Sequence, residues 1–102
     1  MKFKKLVSET VKINLKETSL WYNSKQKGLG KRFLIDVNST VDYICINPLH
    51  FQIRYDTIRI AFLEKFPYGI HYEYLEDKNQ VNIYAVFHSS RNPDLWNKPQ
   101  NS

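Results

Sequence analysis

Residues 51–88 constrain the fold more than any other stretch. They divide into four short segments in which apolar and polar residues alternate. Phe51, Ile53 and Tyr55 alternate with Gln52, Arg54 and Asp56, and Ile58, Ile60 and Phe62 with Arg59, Ala61 and Leu63. Tyr68, Ile70, Tyr72 and Tyr74 alternate with Gly69, His71 and Glu73, and Val81, Ile83, Ala85 and Phe87 with Asn82, Tyr84, Val86 and His88. A period of two is the signature of a sheet with one buried face. The connections are Asp56-Thr57, Phe66-Pro67 and Glu76-Asp77-Lys78-Asn79. Links this short pair neighbouring strands antiparallel. If each segment turns its apolar set to the core, the opposite face collects Arg54, Arg59, Lys65, His71, Tyr84 and His88. Ala61, Leu63 and Val86 then form an apolar strip on that basic face.

The N-terminal half has a different period. Lys2–Val7 reads as a short, lysine-rich edge strand. Ser8 suits a helix N-cap, with Glu9 at the positive end of the helix dipole. Val11, Leu15, Thr18 and Tyr22 then fall on one helical stripe, beside Trp21. This helix is expected over Glu9–Lys27, and Gly28 stops it. Gly28-Leu29-Gly30-Lys31 lacks the longer glycine loop and the Ser/Thr of a phosphate-binding loop, so the glycines read as a tight turn between two helices. A second helix over Leu29–Ile46 carries Phe33, Leu34, Val37, Val41, Ile44 and Cys45 on its apolar stripe. Asn47-Pro48 ends it. Two one-sided helices and one one-sided sheet pack as a two-layer α+β domain: an N-terminal strand, a helical hairpin, then a four-stranded, mainly antiparallel sheet.

A chain of 102 residues builds one core, expected here over residues 1–96. Pro93 forbids a continued central strand, Trp96 is expected to fold back as an anchor, and residues 97–102 are expected to be disordered. The formal charge of +5 favours an anionic partner, either nucleic acid or an acidic protein segment. Cys45 is a single cysteine, so neither an internal disulfide nor a zinc motif is expected. No stretch is long enough to span a membrane, and no apolar signal core follows Met1-Lys2-Phe3-Lys4-Lys5. A cytoplasmic location is the expectation.

No nucleophile-and-base pair, metal-ligand spacing or close carboxylate pair is visible, so no metal and no cofactor is expected. Arg54, Arg59, Lys65, Tyr84, His88 and Arg91 stand out. A metal-free ribonuclease needs a group to deprotonate the ribose 2′-OH, cations to hold charge on phosphorus, and an acid for the leaving 5′-oxygen. His88 and Tyr84 are candidate proton carriers, and Arg59, Lys65 and Arg91 candidate clamps. The same residues also read as a solvated basic face that docks an acidic partner.

Several runs resemble the RelE/ParE toxin superfamily of bacterial toxin–antitoxin modules. Trp21-Tyr22 followed by Gly28-Leu29-Gly30-Lys31-Arg32-Phe33-Leu34 is similar to the family's aromatic pair and glycine-leucine-glycine run. Asn47-Pro48 resembles the close of its second helix. Ile58-Arg59, then Lys65-Phe66-Pro67-Tyr68-Gly69-Ile70-His71-Tyr72, resembles its central core. Val86-Phe87-His88-Ser89-Ser90-Arg91-Asn92-Pro93, ending at Trp96, resembles its last strand and tail. The resemblance covers about residues 3 to 96. It implies the toxin of a type II pair, neutralised by a cognate antitoxin. RelE-like members cut messenger RNA in the ribosome. ParE-like members bind DNA gyrase and are not nucleases. A non-toxic binding module of the same fold is a third possibility. The resemblance carries arginine onto Arg59 and Arg91 and histidine onto His88. These three are the expected catalytic group, with Arg54, Lys65 and Tyr84 as binding residues. The lysine-rich patch of RelE-type nucleases has no counterpart in residues 51–56, where only Arg54 is basic, and no tyrosine follows Arg91.

Overall fold

The computed structural model describes residues 4–90. Phe3, Arg91, Trp96 and the tail expected to be disordered lie outside the described residues. The chain order is β1 (Lys4–Val7), α1 (Glu9–Lys25), α2 (Leu29–Ile46), β2 (Ile53–Tyr55), β3 (Ile58–Phe62), β4 (Tyr68–Leu75), a short 3₁₀ turn (Glu76–Lys78) and β5 (Gln80–His88). The five strands form one sheet in the order β1-β5-β4-β3-β2. All neighbours are antiparallel except β1, which runs parallel to β5. β1 and β2 stand at opposite edges of the sheet, and the two helices carry the chain from one edge to the other. This is the α+β architecture read from the sequence. No helix among the described residues is long and apolar enough to cross a membrane.

Both helices begin and end where their chemistry dictates. The Ser8 hydroxyl accepts the Val11 N–H at 3.2 Å and caps α1. α1 ends at Lys25, two residues before the expected boundary, because Gln26 is already extended. Gly28 then adopts φ +85°, a conformation that costs glycine little. Gly30 lets the helices close on each other: a Cβ there would lie 2.1 Å from the Ser19 carbonyl oxygen. The Asn23 side chain accepts the Gly30 N–H at 2.8 Å and completes the turn.

The core lies between the helices and one face of the sheet. It joins Val11 of α1 and Phe33, Val37, Val41, Ile44 and Cys45 of α2 to Ala61, Leu63, Ile70, Tyr72, Val81, Ile83 and Val86. The helical stripes are those expected. The sheet parity is not. Ala61, Leu63 and Val86 face the helices, so the apolar strip expected on the basic face does not exist. Two features reverse the parity. On β5, His71 opposes Ala85 while Tyr72 opposes Ile83, leaving Tyr84 as an extra, bulged residue. A bulge moves every following side chain to the other face. On β3, both faces are apolar. Ile58 and Ile60 are buried, but on the face away from the helices, where Ile60 opposes His71.

Candidate functional site

The register decides where each candidate residue sits. Arg59 opposes Tyr72, and His88 opposes Tyr68. Tyr68 and Tyr72 both pack on the helix side, so Arg59 and His88 are on that side too. The expectation that they point away from the core is corrected. They are also apart. Tyr68 and Tyr72 are four residues distant on β4, about 13 Å at roughly 3.3 Å per residue, and the two candidates flank opposite sides of that strand. Arg59 and His88 therefore belong to different ends of the molecule.

Arg59 is half-buried, and its guanidinium donates to the Phe51 carbonyl. Beside it the Tyr72 phenol donates to the Pro48 carbonyl at 2.7 Å. Burial pushes that phenol's pKa up to about 12, against the opposing pull of the Arg59 charge. Both residues hold the segment between α2 and β2.

The open face of the sheet holds Arg54, His71 and Tyr84. The Arg54 guanidinium carbon stands 5.7 Å from the centroid of the Phe62 ring, a cation–π contact. His71 is fully buried between Tyr55, whose hydroxyl lies 2.9 Å from Nδ1, and the Phe87 ring at 5.0 Å. Desolvation lowers its pKa to about 4, so the ring is neutral at physiological pH. The Tyr84 hydroxyl donates to Glu73 at 2.7 Å, and Thr57 donates to the other carboxylate oxygen at 2.7 Å. The Thr57 and Tyr84 bonds hold the Glu73 carboxyl below its usual range, and the bond to Glu73 raises the Tyr84 phenol. Tyr84 is thus engaged as a donor.

The other end gathers His88, Lys65 and an aromatic cluster. The Tyr22 ring lies 5.0 Å from Phe66 and 6.3 Å from Tyr68, and Tyr68 lies 5.1 Å from His88. Ser89 N–H donates to the Pro67 carbonyl at 2.7 Å, which fixes the end of β5 beside the β3–β4 connection. His88 Nδ1 accepts the Ser90 N–H at 3.1 Å. A backbone N–H can only donate, so the neutral ring carries its proton on Nε2. Lys65 is exposed, two residues from Pro67, and its own N–H donates to Asp36 at 2.8 Å. Arg91 follows His88 by three residues in sequence and lies outside the described residues.

Two features escaped the sequence reading. Asp36 is a buried acid on the apolar side of α2 that accepts the N–H groups of Glu64 and Lys65. A buried acid must find donors, and a lone aspartate amid apolar helix positions was the available signal. The second is the basic turn between the helices, where Lys25, Lys27, Lys31 and Arg32 are all exposed. Its signal was the absence of any Asp or Glu between Glu17 and Asp36.

Among solved structures, the chain is similar to an arginine-to-alanine double mutant of the E. coli toxin RelE in the free state. The TM-score is 0.59 at 14% sequence identity, over 91% of this chain and 90% of that one. The fold is RelE/ParE-like. At this identity the likeness concerns the fold. No protein-family model and no curated protein matches the sequence. The RelE/ParE-like fold accounts for the strand, helical hairpin and mixed sheet in one continuous order. It leaves the chemistry to this chain's own side chains.

Proposed function

We propose that this chain is the toxin of a type II toxin–antitoxin module, neutralised by a cognate antitoxin, and that it cleaves messenger RNA in the ribosome without a metal ion. The observation that carries the reading is the RelE/ParE-like fold over 91% of the chain, shared with a protein that is itself a toxin. The basic charge of the chain and the four sequence runs that resemble the family support it.

In this reading the working centre is the end of the sheet at His88. In its imidazolium form, whose Nδ1 proton the Ser90 hydroxyl 2.8 Å away can accept, the ring gives its Nε2 proton to the leaving 5′-oxygen and ends neutral, while the ribose 2′-oxygen attacks phosphorus and the 2′-hydroxyl proton passes to water. Lys65 and Arg91 supply positive charge for the phosphorane-like transition state. Arg54 and Tyr84 act in binding, on the open face. Arg59 supports the fold of the 48–51 segment.

One observation favours a second reading, a non-enzymatic inhibitor of DNA gyrase. Arg59 and His88 lie at different ends, so the histidine at the end of β5 stands without the arginine expected beside it. Induced expression separates the readings. Cleavage predicts new messenger RNA ends that vanish in folded His88→Gln. Gyrase inhibition predicts gyrase-dependent DNA breaks and full toxicity in the same variant. Absence of both effects would leave a binding module of the same fold.

A further inference from the structure

We propose that the turn between α1 and α2 is a docking surface for the phosphate backbone of single-stranded RNA, with Trp21 as its stacking platform. The proposal deepens the RNA reading above by giving the strand a path, and it is tested separately from cleavage.

Charge is the first argument. Lys25, Lys27, Lys31 and Arg32 lie within eight consecutive residues and are exposed. The nearest acids in sequence are Glu17 and Asp36. Asp36 is buried and turned toward the amides of Glu64 and Lys65. The turn's own segment therefore leaves its cations without a neutralising acid. Rigidity is the second. The close approach at Gly30 and the Asn23 side-chain bond fix the two helix ends against each other. The cations sit on a preformed frame, and little backbone order has to be gained on binding.

Trp21 is the third argument. It is 54% exposed, so much of its indole is open to solvent. Its ring stands edge-on to Tyr22 at 5.0 Å, and Lys25 Nζ lies 5.2 Å from its centroid. An exposed indole with cations beside it suits a base stacked next to its own phosphate. The ring contacts then run from Trp21 to Tyr22, Tyr68 and His88. The docking surface and the proposed working centre share one end of the molecule.

An acidic protein helix fits this turn less well. Such a helix needs an apolar groove beneath it, and Lys25 to Gly28 are four exposed residues in a row without an apolar one. The neighbouring cleft of about 500 Å³ does have apolar walls in Leu29, Ile35 and Phe66. Its lining also carries the acids Asp36 and Glu64, which would repel an acidic segment.

The test is fluorescence anisotropy with the full chain and a labelled 12-nucleotide single-stranded RNA, at 50 to 200 mM salt, with a poly-glutamate peptide as the comparison probe. Combined Lys27→Gln, Lys31→Gln and Arg32→Gln should weaken RNA binding about a hundredfold near 0.1 M salt and flatten the log–log salt slope by roughly 2. Trp21→Ala should cost about tenfold and leave the slope unchanged. RNA affinity within twofold of the parent in the triple variant would overturn the proposal, as would a parent chain that does not bind the RNA. Equal losses for RNA and poly-glutamate, with Trp21→Ala silent, would assign the turn to an acidic protein instead. If the triple variant keeps its RNA affinity while His88→Gln abolishes messenger RNA cleavage, the docking surface falls and the nuclease reading stands. If the triple variant loses RNA affinity but expression produces no new RNA ends, the surface stands and the nuclease reading falls.

Discussion

Arg59 and Tyr72 oppose each other across β3 and β4 and reach the same backbone segment, the guanidinium at the Phe51 carbonyl and the phenol at the Pro48 carbonyl. Together they tie the exit of α2 to the centre of the sheet. A hydrogen bond from a charged donor contributes about 1.5 to 3 kcal/mol. Arg59→Ala should therefore lower stability by about that much, and Tyr72→Phe by about 1 to 3 kcal/mol through an unsatisfied buried carbonyl. Urea midpoints give the measurement. Toxicity per folded molecule should be unchanged in both variants. A stable Arg59→Ala protein that has lost toxicity would return Arg59 to the working centre.

Gly30 gives a sharper stability test. Alanine there places a Cβ 2.1 Å from the Ser19 carbonyl oxygen and 2.9 Å from its carbon. These are backbone atoms and cannot rotate away. The helices must separate, at a cost of about 1 to 3 kcal/mol or more. Gly28→Ala meets no atom within 4 Å, and only the positive φ opposes it. Thermal unfolding should show the larger loss at Gly30.

These two glycines were legible in the sequence as a helix turn, but not which of them carries the packing. The helices were legible because Ser8 and Asn47-Pro48 punctuate them and their stripes are one-sided. The strands were legible because they alternate. Which face each strand buries was not. On β3, Ile60 and Ala61 are adjacent and both buried, so alternation carries no face information there. On β5, nothing in Asn82-Ile83-Tyr84-Ala85 announces the bulge at Tyr84. That bulge moves Val86 into the core and His88 to the helix side; what separates Arg59 from His88 is their four-residue offset along β4, on opposite sides of that strand. Arg54, His71 and Tyr84 reached the open face as read. The candidate site was thus legible as a set of residues and not as an assembly.

His71 makes the fold sensitive to acid. Its folded pKa is about 4 against 6.5 for the free side chain, and the cause is burial between Tyr55 and Phe87. Above pH 6.5 both folded and unfolded chains hold a neutral ring. Between pH 6.5 and 4 the unfolded chain binds a proton that the folded chain does not, so stability falls as pH drops through that window. Below about 4 the loss is complete, of order 3 kcal/mol. His71→Gln, compared with the parent by urea unfolding at pH 7.0, 5.5 and 4.5, should be less stable at pH 7.0 but should lose less on acidification. Parallel pH dependences in the two proteins would show that another group governs the acid limb.

Asp36 connects the helices to the end of the sheet where His88 sits. Its carboxylate accepts the Lys65 N–H at 2.8 Å and the Glu64 N–H at 3.4 Å. Lys65 leads into Phe66-Pro67, and the Pro67 carbonyl holds the Ser89 N–H. The carboxylate thus fixes the connection that in turn fixes β5 at His88. Alanine at this position leaves two amides without their acceptor. Asp36→Ala should cost about 2 to 3 kcal/mol, mainly from the shorter, charge-assisted bond. Asn keeps one acceptor oxygen, so Asp36→Asn should cost roughly half as much. Native-state hydrogen exchange supplies a readout that stability alone does not. The amides of Lys65 and Ser89 should exchange faster in Asp36→Ala than the global stability loss requires, whereas the Tyr72 amide should follow global stability. Equal acceleration at all three sites would show that Asp36 contributes to the fold as a whole and does not position His88.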